Sequence, residues 1–163
     1  IKDIWITTYV VILQQWRQLL KSIYMYHGIL EKKSQTSERT GFSNSQQVWR
    51  VVRQRVVDSC ASVIDIDYLD ASLVPQLNRS IAEYSIFDYI ENQLNLSISH
   101  AFKEITIDNA TDQDKILIDL GKDQHVVCIR SKVYLTNGKQ FQFTESRHKL
   151  EKFKFVDYAK HRH

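Results

Sequence analysis

Glycine, proline and cysteine are all scarce in this 163-residue chain, at four, one and two. Glycines scattered singly cannot make the Gly-rich loop that cradles a nucleotide's phosphates, so neither a P-loop nor a dinucleotide fingerprint is present. Two cysteines, Cys60 and Cys128, cannot form a disulfide framework. Each sits in an apolar, strand-like run and reads as a buried thiol of a reducing, cytoplasmic compartment. Long apolar runs are missing as well. Ile4–Leu13 is ten residues with Thr7 and Thr8 inside it, well short of the roughly 18 of a spanning helix. No signal-peptide pattern accompanies it, and no membrane partner is expected. A net charge of +3 does not call for nucleic acid, although basic residues cluster at Lys149–Lys154 and Lys160–His163. The six histidines lack ligand spacing, so no metal and no cofactor are expected.

What is present is the composition of an ordinary globular domain, 43% hydrophobic and 25% charged, with one core expected for 1–163. A start at Ile1 rather than Met suggests a piece of a longer chain. Trp5, Tyr9, Leu13, Trp16 and Leu20 recur at the spacing of one helix face, which predicts a helix over 6–20. Ser22–Leu30 reads as a strand, and Glu31–Ser45, polar and without periodicity, as a loop. Gln47–Val57 and Ala61–Tyr68 are predicted strands joined by the turn pair Asp58-Ser59. Ser85 caps a predicted helix running to about Leu94, and Leu96–Ile107 is a strand. Thr111-Asp112-Gln113-Asp114 opens a helix in a capping-box arrangement, which Gly121 ends. Strands over 124–135 and 139–149 follow, with Phe153–Tyr158 as a short last strand. Helices and hairpins alternate without βαβ regularity, which predicts an α+β fold, a largely antiparallel sheet with helices packed on it.

The last hairpin, Val126–His148, organises the rest. Asn137-Gly138 in its turn predicts type I′ geometry, with positive φ at both residues. Alternation along the returning strand puts Gln140, Gln142, Thr144, Ser146 and His148 on one face and Phe141 and Phe143 on the other. That polar face either meets water or lines a polar cavity. Arg53 and Arg55 share a strand face with Trp49, Val51 and Val57, whereas Arg50 points the other way to the surface. Two adjacent guanidiniums either hold an anion between them or pair with Asp65 and Asp67 on the next strand. The signals for catalysis are weak. Asp65 with Glu145, or Ser146 with His148, could be drawn as reactive pairs, but nothing supplies an oxyanion hole.

Three stretches carry a resemblance: Gln47–Arg55, Ser85–Glu91 and above all Phe141-Gln142-Phe143-Thr144-Glu145-Ser146-Arg147-His148. They resemble the effector-binding domain of GntR/HutC-family transcriptional regulators, the UTRA domain, which is related to chorismate lyase. The likeness runs from about Val48 to Tyr158 and is strongest to the family's trehalose-operon repressors. It implies a chorismate-lyase-like fold, no enzymatic activity, and a phosphorylated sugar as effector, trehalose 6-phosphate foremost. It also implies a homodimer that meets operator DNA only through an N-terminal winged helix-turn-helix domain, which this chain is expected to lack. Residue by residue, Arg53 and Arg55 would grip the effector's anionic group, with Thr8 in place of a family serine and Ser85 at a helix start. Phe87, Asp65, Gln142, Ser146 and His148 would line the remainder, with Glu145 beside them. The rivals are a small-molecule lyase on the same fold and a plain interaction module.

Overall fold

Asp58 and Ser59 both take positive φ, +49° and +64°. That pair of values lets two right-twisted strands turn back on each other within two residues. The strands it joins are β2 (Gln47–Val57) and β3 (Cys60–Asp70). The computed structural model describes residues 18–29, 35–43, 45–84 and 86–158. Its other strands are β1 (Gln18–Ile29), β4 (Ile98–Asn109), β5 (His125–Leu135) and β6 (Gln140–His148). All pairings are antiparallel, in the order β1-β2-β3-β6-β5-β4. The fold is therefore α+β, as the sequence predicts. β6 and β3 are central, which is why β6 is almost wholly buried.

Helices cover both faces. On one, α2 (Arg79–Tyr84) and α3 (Ile86–Asp88), which runs on as a π-helical turn through Gln93, pack Ile86, Tyr89 and Ile90 against Val51, Leu69, Val133 and Phe141. On the other, α1 (Gln35–Thr40) leads into Phe42, which packs on Val48 and Phe143. At the far end of that face, Ile118 and Leu120 after α4 (Asp112–Leu117) pack on Val52, Ile64, Ile66 and Val126. Thr111 and Asp114 form the predicted capping box, each side chain taking the other's backbone N–H.

Several expectations are corrected. The predicted helix over 6–20 lies outside the described residues except for Gln18–Leu20, which open β1; pairing with β2 overrides local helical spacing there. The predicted loop over 31–45 contains α1, fixed by the burial of Thr40 and Phe42 rather than by any periodicity. Gly41, at φ +80°, ends it, and a Cβ there would meet the Gln140 amide at 2.5 Å. The turn at Asn137-Gly138 is not type I′: of the two, only Gly138 has positive φ. The strands are joined by Thr136–Lys139, closed by Gly138 N–H to Leu135 O and by Leu135 N–H to Lys139 O. Phe153–Tyr158 forms no strand. A 3-10 turn at Leu150–Lys152 leads into irregular chain, because β3 and β5 already occupy both edges of β6.

Candidate functional site

The register fixes which side chains stand together. Arg53 faces Asp65, Asp65 faces Ser146, and Asp67 faces Thr144, so these residues share one sheet face with Arg55, Gln142 and His148. Asp67 accepts from Arg53 Nη2 at 2.6 Å and from Gln142 Nε2 at 2.9 Å. Asp65 pairs with Arg55 Nε and accepts from Ser146 Oγ at 2.6 Å. Ser146 Oγ also lies 2.9 Å from His148 Nε2. Each aspartate thus joins one arginine of β2 to one polar side chain of β6.

This settles the alternatives left open by the sequence. The arginines do pair with the neighbouring aspartates, and the polar face of β6 is buried rather than wet. Burial on its own would raise the Asp65 carboxyl. The Arg55 and Arg53 charges, with the Ser146 hydrogen bond, outweigh it and hold Asp65 well below the usual carboxylate range. An ionised Asp65 only accepts, so the Ser146 proton goes to it and His148 Nε2–H must donate to Ser146 Oγ. Burial, with Arg55 nearby, pushes the His148 imidazole below its ordinary value against the pull of Asp65, so it is neutral at pH 7. Serine is therefore the middle member of Asp65–Ser146–His148. Its proton is turned towards Asp65 and away from the imidazole, which is the wrong order for an activated nucleophile.

Among the described residues Arg55 meets only Asp65, through Nε, and its two terminal amino groups remain open. Its side chain is 16% exposed. Phe87 lies at the helical end of the same face, edge-on to Phe141 at 6.4 Å. Thr8 and Ser85 lie outside the described residues.

Two predicted placements change. A register shift leaves Phe141 between the Val133–Gln142 and Tyr134–Gln140 pairs, so Phe141 joins the cluster on the Gln142 side while Phe143 stays opposite. Past the bulge, Gln140 turns to α1 and donates to Thr40 O at 2.7 Å, away from the Gln142 face. Glu145, expected beside the site, is on the reverse face. There it pairs with Arg39, Arg130 and Arg147 in a cluster that Asp108 and Asp114 complete. Arg50 is on the reverse face as expected, yet half-buried, with Nε donating to the Tyr68 hydroxyl at 3.1 Å. Cys60 and Cys128 are both free thiols. Burial, with the Glu145 charge, pushes the Cys128 thiol up to about 12, so it is inert.

A family model described as the UTRA domain matches residues 18–154. The chain belongs to the UTRA domain family. The transcriptional regulator TreR of Bacillus subtilis is 46% identical over 113 residues, 69% of this chain and 48% of TreR. The repressor NagR of the same organism is 24% identical over 132 residues, 81% of this chain and 54% of NagR. The solved effector-binding domain of the B. subtilis trehalose repressor superposes with a TM-score of 0.77 at 36% identity, covering 90% of this chain and 99% of that one. A GntR-family regulator from Bacillus cereus shares the fold, with a TM-score of 0.75 at 22% identity over 88% of this chain and 98% of its own. This UTRA chain is thus a ligand-sensing domain of the transcriptional-regulator class, not an enzyme. It spans about half the length of the curated relatives it matches. Among the described residues no helix is long and apolar enough to cross a membrane.

The sequence points to Asp67 only as a pairing partner for the arginines, although it ties Arg53 to Gln142. Its signal was the alternation Asp65-x-Asp67, which puts both carboxylates on one strand face.

Proposed function

We propose that this domain binds a phosphorylated sugar, trehalose 6-phosphate foremost, and that binding controls DNA attachment of a longer repressor. The observation that carries the reading is the Arg53/Arg55 pair, Arg53 held by Asp67 at its terminal Nη2 and Arg55 by Asp65 at Nε, with the Arg55 terminal amino groups open on the sheet face that carries buried Gln142, Ser146 and His148. A phosphate oxygen fits open guanidinium N–H groups through charge-assisted hydrogen bonds. The aspartates already balance the two arginines, so affinity comes from those free donors and from sugar hydroxyls meeting polar side chains of β6. Thr8 and Ser85 would add donors to the anion, and Phe87 a flat apolar wall for a sugar ring. The choice of trehalose is supported by the 36% identity to a domain of a trehalose repressor.

In the same reading the domain forms a homodimer in the cytoplasm, and operator contact belongs to a winged helix-turn-helix domain of the longer protein. Thermal-shift titration tests the ligand. At 100 times its dissociation constant, trehalose 6-phosphate should add about 2.7 kcal/mol to stability. Trehalose should add much less; equal shifts for the two would overturn the arginine assignment.

A further inference from the structure

Beyond the arginines, the same sheet face carries two hydroxyls with no role so far. Ser131 on β5 and Thr144 on β6 stand directly opposite each other. They are 2% and 5% exposed, and Ser131 Oγ and Thr144 Oγ1 have no hydrogen-bond partner among the described residues. Gln142 Oε1, two residues along β6, is in the same condition, although its Nε2 is held by Asp67. Buried polar atoms in a packed core are almost always bonded, because an orphan forfeits its hydration and gains nothing. Three orphans on adjoining positions of one face are therefore not core filling. Both hydroxyls can rotate to donate or to accept, and the amide oxygen accepts. The set suits ligand hydroxyls, which do both.

Position gives the length of the ligand. β5 lies three strands from β2 in the sheet order, about 14 Å at the usual spacing of about 4.8 Å per strand, and Ser131 is offset from the Arg55 level by the run from Val127 to Ser131, about 13 Å along the strand. A phosphate at the long Arg55 side chain and one sugar ring span only part of that diagonal, about 20 Å between backbones; a second ring is what approaches β5. We propose that Ser131 and Thr144, with Gln142 Oε1, form a distal subsite that hydrogen-bonds the second ring of a phosphorylated disaccharide and so discriminates it from a monosaccharide phosphate. This rests on the reading that Arg53 and Arg55 hold the phosphate.

The test uses the full chain with Ser131→Ala, Thr144→Val and their double variant. Each is titrated with trehalose 6-phosphate, glucose 6-phosphate and inorganic phosphate, and melted without ligand. Removing orphan hydroxyls should leave the ligand-free melting temperature unchanged or raised. The double variant should bind trehalose 6-phosphate about tenfold or more weakly, while glucose 6-phosphate and inorganic phosphate stay within about twofold. Equal losses for all three probes, or undiminished trehalose 6-phosphate binding, would overturn the subsite. A wild type blind to inorganic phosphate would instead sink the arginine reading. The subsite is then read with trehalose alone, which must bind the wild type and lose affinity in the double variant; equal binding to both, or binding to neither, overturns it.

Discussion

Replacing Asp65 with Asn keeps the shape of the site and removes one charge from its centre. Asp65 is 2% exposed and pairs with Arg55, whose side chain is 16% exposed. Removing one partner of a buried pair leaves an uncompensated cation, at about 3–5 kcal/mol. The partial exposure of Arg55 places the loss near the lower end, about 3 kcal/mol. Domains of this size hold about 5–15 kcal/mol in all, so the variant folds with a clearly lowered urea midpoint. The pH dependence follows from the depressed pKa of Asp65. Its stabilisation is complete above the ordinary 3.8 and is lost as pH falls below it. The gap between wild type and Asp65→Asn should therefore be full at pH 7 and narrow in acid below 3.8. Inorganic phosphate should bind the variant more tightly than the wild type, because it replaces the missing anion between the arginines. Urea unfolding followed by tryptophan fluorescence at several pH values, with and without phosphate, measures all of this. A loss under about 1 kcal/mol at pH 7, the size of a surface pair, or a gap indifferent to acid, would refute the reasoning.

Arg55→Ala should weaken sugar-phosphate binding by about 1.5–3 kcal/mol, while Arg50→Ala, on the reverse face, leaves it nearly unchanged; calorimetric titration distinguishes them. Gln142→Leu should keep the fold but cost sugar phosphate about 1–3 kcal/mol, with inorganic phosphate unaffected; parallel losses would make Gln142 a prop for Asp67. Arg147→Met strips Asp114 and Glu145 of a buried partner and should cost about 3–5 kcal/mol in urea unfolding without changing ligand selectivity. His148 titrates below its ordinary 6.5 in the folded state, so the unfolded chain takes up its proton first and stability falls as pH drops below 6.5. His148→Gln should flatten that part of the profile.

The β2–β3 and β5–β6 hairpins were legible because alternation and turn residues agree there, although the type I′ geometry sits at Asp58-Ser59 and not at Asn137-Gly138. Arg53, Arg55, Asp65, Gln142, Ser146 and His148 were legible as one face for the same reason. Glu145 was misplaced by likeness, although alternation along β6 already set it opposite Ser146. Ser131 gave no signal, since a single serine in an apolar strand means nothing until the register brings it to Thr144. The bulge at Phe141 was equally silent. α1 exists through contacts of Phe42 and Arg39 with distant β6, which no local window contains.

β6 is buried on both sides, and its two sides answer to different demands. Gln142, Thr144, Ser146 and His148 form the polar face of the proposed site, while Phe143, Glu145 and Arg147 are tied to the opposite layer. With the site so proposed, a lineage would retune its effector by exchanging every second residue of one strand, while the residues between keep the sheet closed. Tolerance to substitution along these codons should accordingly alternate, with altered effector response in one phase and loss of the folded protein in the other.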